Sequence, residues 1–251
     1  MAHAAPAATV IFQNGLNGYG GTQDTWISER DRDQQRGNAA SHEVEEDLNN
    51  WIFGNGPESQ GLIRFDGLFG AALNEGDVIP TGWVPLNAIV TGATLTFEMT
   101  DDGLLTGSEI QGRRMTTAWS ESSTWNSLGG GVNVGTETLS TNDFILAVAD
   151  QGTGTKSRDV TAAVQDWHSG MNNLGWALVT TGEFGPAGDN GIQVAASENG
   201  TAANRPTLTV EFTPVFNDLD PIIDTLEVLG DVSVTDPFGF NTVASARGWT
   251  R

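Results

Sequence analysis

The chain has 251 residues, no cysteine and a formal net charge of −21, from 32 acidic against 11 basic residues. The absence of cysteine excludes disulfides, thiol catalysis and cysteine-bound zinc, and the acidity disfavours nucleic acids and other polyanions as partners. No apolar run approaches the roughly 18 residues of a membrane span, so we expect no such span. Residues 1–9 lack the basic and apolar regions of a signal peptide, so either a signal peptide has been removed or the protein is made without one.

Nine segments have the alternation or the β-branched content of strands. In chain order they are residues 9–12, 24–27, 61–66, 89–99, 108–115, 143–149, 176–180, 191–196 and 207–212. The clearest is 89–99, where alternation with threonine places Ala93, Leu95, Phe97 and Met99 on one face. Residues 28–60 contain a mixed charge run and an acidic run, and such runs are usually solvated loops.

One helix is predicted near residues 161–169. Val160, Ala163, Val164 and Trp167 have the spacing of a single apolar stripe. Asp159 or Thr161 can cap its start, and Gly170 can adopt the left-handed conformation that ends a helix.

Many short strands, glycine-rich turns and one helix predict an all-β fold, an antiparallel β-sandwich or jelly roll with a C-terminal extension. We place the sandwich at residues 1–214 and the extension at residues 215–251. The expected core includes Leu95, Phe97, Trp125, Trp167, Leu178 and Leu208. The extension is too short to form its own core, so we expect it to pack on the sandwich or to act as an assembly arm on a neighbouring subunit.

No catalytic set is visible in the sequence. The histidines are His3 near the terminus, His42 in the charged stretch and His168 at the end of the predicted helix. There is no Gly-x-Ser-x-Gly motif, and a nucleophile–base–acid set would need one of these histidines in a suitable place. We therefore predict that the chain is not an enzyme.

Carboxylates at predicted strand ends suggest a structural Ca²⁺ site. Asp24, Asp66 and Glu198 could converge in a sandwich, where they would repel one another unless paired or bound to a metal.

The tryptophans are candidates for binding a sugar. A tryptophan face can stack on a sugar ring, although most tryptophans lie in cores. We expect Trp119, Trp125, Trp167 and Trp176 to be buried, and we take Trp26, Trp51 and Trp83 as candidate ligand-binding residues.

Seven segments, taken in this order, resemble the DNRLRE domain, a β-sandwich module of bacterial and archaeal surface proteins related to a disaggregatase repeat. They are residues 24–27, 62–66, 89–97, 119–126, 159–167, 173–176 and 205–210. The resemblance implies a non-catalytic jelly roll of the carbohydrate-binding-module type, often attached to polysaccharide-degrading enzymes or cell-surface proteins. Relatives that bind uronate polymers use basic residues, and the acidity of this chain departs from that pattern.

These observations leave two functions open. The first is a non-catalytic surface or assembly protein, most concretely a virion (phage capsid) decoration subunit, with other protein subunits as partners. The alternative is a secreted carbohydrate-binding module trimmed from a polysaccharide-degrading enzyme, with neutral glycans as partners. Either function places the protein outside the cell or on a virion surface.

Overall fold

The computed structural model describes residues 6–45, 58–101, 109–150, 152–181 and 192–217. Within these ranges the chain forms fifteen strands, one α-helix and three short 3-10 turns. In chain order the strands and helix are β1 Ala8–Gln13, β2 Thr22–Ser28, β3 Ser41–Val44, β4 Ser59–Phe65, β5 Phe69–Gly70, β6 Leu73–Asn74, β7 Val84–Pro85, β8 Ile89–Asp101, β9 Glu109–Arg114, β10 Phe144–Leu146, β11 Gly154–Asp159, α1 Thr161–His168, β12 Trp176–Thr181, β13 Ile192–Ala195, β14 Thr207–Thr213 and β15 Phe216–Asn217. The 3-10 turns are Asn126–Leu128, Val148–Asp150 and Ala202–Asn204.

Two antiparallel sheets form the body of the fold. The first has the order β1-β14-β8-β13-β3, with β11 also paired to the long strand β8, and the second has the order β10-β9-β12-β4-β2. Two short parallel pairs, β5 with β7 and β6 with β15, complete the strands. The predicted all-β antiparallel sandwich is confirmed, while jelly-roll connectivity stays a prediction.

The main hydrophobic core lies between the sheets, and a second core covers the outer face of the second sheet. All six predicted core residues are at most 5% exposed, and the four tryptophans predicted to be buried are buried. In the second core, Ile27 and Leu62 of the sheet pack with Trp119 and Trp125 from the long connection between β9 and β10. The second sheet is therefore covered on both faces, and that connection is held against it.

The predicted helix is confirmed, and it lies against β8. The Asp159 carboxylate accepts the backbone N–H of Thr161 at 2.8 Å, and Gly170 has a φ of +106° just beyond the helix end, a conformation that favours glycine. Gln165 donates to the carbonyl of Val90 at 2.9 Å. The ring of Trp167 lies 4.6 Å from that of Trp176 in the core.

Six strands were not predicted, namely β3, β11 and the two-residue strands β5, β6, β7 and β15. β3 lies in the stretch expected to be solvated loop, and that expectation is wrong there because His42 and Val44 point into the sandwich while Ser41 and Glu43 point outward. β11 has no apolar side chain, and it forms by pairing with β8. Its Arg158 donates to the carbonyl of Ile145 at 2.8 Å, which links this edge of the first sheet to β10 of the second.

Strand pairing continues slightly past the predicted domain boundary at residue 214. β15 pairs with β6 in parallel, so residues 216–217 belong to the body of the fold. The rest of the predicted extension, residues 218–251, lies outside the described residues. In the part of the chain that is described, no helix is long and apolar enough to span a bilayer.

Candidate functional site

A groove lies at the edge of the sandwich where two connections meet. Residues 29–40 run from β2 in the second sheet to β3 in the first, and they contact the connection between β9 and β10. Asn126 makes this contact, since its backbone N–H donates to the carbonyl of Arg32 at 3.0 Å and its side chain donates to Asp33 at 2.9 Å. The groove has a volume of about 500 Å³, and its lining includes Trp26, Gln35, Arg36, Asn38, Glu121 and Ser122.

Arg36 covers one face of Trp26 inside this groove. Its guanidinium carbon lies 4.1 Å from the centroid of the indole, a favourable cation–π distance. The same guanidinium donates to Asp31 at 2.8 Å and to the side chain of Gln34 at 3.1 Å. Because Arg36 is only 8% exposed and its charge is already paired, a ligand meets the remaining surface of Trp26 rather than a free cation.

Glu121 also lines the groove. Gly37 packs directly against it, so that an added Cβ at Gly37 would overlap Glu121. Burial raises the pKa of the Glu121 carboxyl, and the nearby charge of Asp24 raises it further, while a hydrogen bond from the Asp24 backbone and the charge of Arg64 act in the opposite direction. Among the ion pairs of the described residues, none includes Glu121.

Two members of a buried polar cluster, Asp24 and His42, flank residues 29–40 in the sequence. Asp24 of β2, His42 of β3 and Ser197, which follows β13, are each at most 2% exposed. His42 Nε2 lies 3.2 Å from Asp24 Oδ1. Asp24 also accepts the backbone N–H of Ser197 at 2.7 Å and its hydroxyl at 3.3 Å. The cluster therefore ties the edge strand of one sheet to the edge strand of the other, at both ends of residues 29–40.

Glu198 extends this cluster. One of its carboxylate oxygens accepts the Ser197 hydroxyl at 2.8 Å. Burial raises the pKa of Glu198 to about 6, and the charge of Asp24 contributes in the same direction.

The sequence analysis placed His42 in a charged loop. That prediction is wrong, because β3 and its pairing with β13 carry His42 into the interior.

The cluster contains serine, histidine and aspartate, but it is not arranged as a catalytic triad. Asp24 lies between the other two, so the Ser197 hydroxyl donates to a carboxylate and not to the imidazole. A nucleophile–base–acid set needs the histidine next to the serine. The near-complete burial of all three residues also separates them from any substrate.

The structure brings together two of the three predicted calcium ligands. Asp24 and Glu198 both accept hydrogen bonds from Ser197. The carboxylate of Asp66 instead pairs with Arg64, at 2.6 and 3.1 Å. Within the described residues, no group of three His, Asp or Glu side chains is arranged to hold a metal ion. Calcium binding thus stays a prediction.

The three candidate tryptophans have different positions. Trp26 lies in the groove and is half-buried. Trp83 is also half-buried, but its indole covers Gly70 beside the β5–β7 pair. Trp51 lies outside the described residues. Sequence reasoning missed Arg36 and Glu121, and the only signal was that Glu121 falls in the segment 119–126 that carries the family resemblance.

No protein-family model and no curated protein sequence matches the chain. The resemblance to the DNRLRE domain therefore depends on the seven sequence segments alone.

Proposed function

We propose that the chain is a non-catalytic binding protein whose groove binds a glycan without negative charge. The observation that carries the proposal is the position of Trp26 in an open groove beside the exposed side chains of Gln35, Asn38 and Ser122. An indole surface suits the apolar face of a sugar ring. Amide and hydroxyl groups both donate and accept hydrogen bonds, as sugar hydroxyls require.

The charges of the groove favour uncharged over anionic sugars. Its arginine, Arg36, is already bonded to Asp31 and Gln34, so it offers no free partner to a uronate. The carboxylate of Glu121 and the net charge of −21 would both repel an anionic polymer.

Two features support a non-catalytic role. Glycoside hydrolysis generally uses a pair of carboxylates that flank the scissile bond, whereas Glu121 is the one carboxylate in the described lining of the groove. His168 is also engaged, with Nε2 at 2.9 Å from the carbonyl oxygen of Pro85.

Calorimetry with neutral and uronate oligosaccharides tests this function. We expect neutral oligosaccharides to bind, uronates to bind more weakly, and Trp26→Ala to abolish binding. Trp83→Ala is the matched control, because Trp83 is equally a half-buried tryptophan outside the groove, and it should bind like the wild type. Unchanged binding by Trp26→Ala would refute the proposal. Any shortening of an oligosaccharide that is lost in Glu121→Gln would refute the non-catalytic part.

The second candidate function is that of an assembly subunit, such as a capsid decoration protein. Exposed apolar residues near the end of the described chain favour it. Ile89 begins β8 opposite Thr213 at the end of β14. Ile89, Leu86 and Val215 are 59, 57 and 38% exposed, and exposed apolar surface of this kind is typical of protein contacts.

Light scattering tests this second candidate. We expect Ile89→Lys to reduce the mass of any assembly. Val134→Lys is the control, because Val134 is 47% exposed and lies in the β9–β10 connection. A monomeric wild-type chain, or an assembly that Ile89→Lys leaves intact, would remove this candidate.

A further inference from the structure

Glu121 is a half-buried carboxylate in the wall of a groove whose other exposed polar groups are neutral. Arg64, whose charge acts on Glu121, already donates to both oxygens of Asp66. Arg36, which also lines the groove, is bonded to Asp31. Arg64 and Arg36 are thus each paired with another carboxylate.

We propose that the groove selects sugar units that carry a protonated amine, with Glu121 as the partner of the ammonium group. This inference depends on the proposed glycan-binding function and names the class of glycan. A carboxylate that is partly removed from water and lacks an ion pair is stabilised by an incoming cation. Burial and the charge of Asp24 raise the pKa of Glu121, and a hydrogen bond from the Asp24 backbone and the charge of Arg64 offset this only in part.

The lining of the groove favours an amine on a sugar ring over an amine on a lysine side chain. In a hexosamine the amine is attached directly to a ring carbon, so it lies beside the hydroxyls and close to the ring face. Trp26 can then contact the ring while Gln35 and Asn38 bond its hydroxyls and Glu121 bonds the amine. A lysine ammonium is carried on a flexible four-carbon stem. The polar side chains that line the groove do not suit this apolar stem.

The overall charge of the protein would attract polycations to any part of the surface, so long-range attraction must be separated from the Glu121 contact. Working at about 0.15 M salt limits that attraction, because the screening length is then about 8 Å. Short oligomers of glucosamine and of N-acetylglucosamine form a matched pair of ligands. At a pH below the pKa of the sugar amine, they share one backbone and differ in whether the nitrogen is charged.

The experiment measures the affinity of both oligomers by calorimetry for the wild type, Glu121→Gln and Glu75→Gln. Glu75 is exposed and lies outside the groove lining, so its substitution removes the same charge elsewhere. We expect the wild type to prefer glucosamine oligomers about tenfold, as a charge-assisted hydrogen bond at a half-exposed site would give. Glu121→Gln should lose most of that preference, and Glu75→Gln should keep it.

The outcomes separate this inference from the proposed function. Equal affinity of the wild type for both oligomers, or a preference retained by Glu121→Gln, overturns the amine selection and leaves glycan binding standing. If neither these oligomers nor any neutral or uronate oligosaccharide binds, both proposals fail. Displacement of bound glucosamine oligomer by a lysine oligomer at equal amine concentration would overturn the choice of a glycan as the ligand.

Discussion

Raising the pH through about 6 is expected to destabilise the fold through Glu198. Its pKa lies at about 6 instead of the usual 4.5, because of burial first and the charge of Asp24 second. The folded protein therefore holds this proton more tightly than the unfolded chain does. The resulting stabilisation is fully present below a pH of 4.5 and is lost as the pH rises through about 6.

The size of the effect follows from that shift. One pKa unit corresponds to about 1.4 kcal/mol, so a shift from 4.5 to about 6 has an upper limit of about 2 kcal/mol. Glu198 is only partly buried, and solvent screening lowers the value to about 1 kcal/mol. The raised pKa values of Glu121 and Asp143 act with the same sign, so the wild-type profile alone does not isolate Glu198.

Urea unfolding of the wild type and Glu198→Gln between about pH 4 and about pH 7, followed by tryptophan fluorescence, isolates that contribution. The glutamine cannot ionise, so its free energy of unfolding should fall by about 1 kcal/mol less across this range than that of the wild type. Glu75→Gln, which removes an exposed carboxylate, should follow the wild type. Parallel profiles for the wild type and Glu198→Gln would refute the assignment of the effect to Glu198.

Four other substitutions or treatments test the fold, the cluster and the extension. Leu95→Ala removes a fully buried side chain and should lower the free energy of unfolding by about 2–5 kcal/mol in urea titrations; a loss below about 1 kcal/mol would contradict its core position. Gly112→Ala should cost about 1–3 kcal/mol in the same assay, because the Phe144 ring lies directly over Gly112, and a neutral result would contradict that contact. If Asp24 and Glu198 bind Ca²⁺, added Ca²⁺ should raise the melting temperature and EDTA should lower it, whereas no change in either excludes the site. Truncation after Asn217 should leave a folded chain by circular dichroism, because β15 is the last paired strand described. The truncated chain should lose any self-association by light scattering; unfolding, or unchanged association, would contradict the assembly-arm interpretation of residues 218–251.

The elements that could be predicted have a periodic hydrophobic pattern within their own sequence. β8 alternates threonine with apolar residues, and its burial alternates in the same way because one face meets the core. α1 carries an apolar stripe of helical spacing, and Ala163, Val164 and Trp167 are buried along it. In both elements the local pattern and the tertiary environment agree, so the sequence alone is sufficient to predict β8 and α1.

Two of the unpredicted strands, β3 and β11, depend on their partners instead. β3 reads as a charged segment, and only its pairing with β13 and its position over the sandwich interior bury His42 and Val44. β11 is polar throughout, yet β8 offers it a free edge to pair with. Composition cannot reveal such strands, because the free energy that forms them comes from contacts distant in sequence.

The candidate site was predictable by residue type but not by arrangement. Trp26 stands out in the sequence as a tryptophan near a turn. Arg36 and Glu121 do not, because their roles require residues 29–40 to fold against the connection that follows β9. The Asp24–His42 contact is non-local in the same sense, since it joins strands that belong to different sheets.

The two edges of the sandwich are closed by polar contacts of different kinds, and this explains why the groove lies where it does. At one edge Arg158 links β11 directly to the carbonyl of Ile145 in β10. At the other, Asp24 and His42 anchor β2 and β3, and the chain between those strands is left to form a loop. A loop held at both ends by a buried cluster can present varied side chains without disturbing the core. In the proposed function, side chains of residues 29–40 would act together with Trp26 of β2 and with Glu121 and Ser122 of the β9–β10 connection, while the sheets supply the rigid frame.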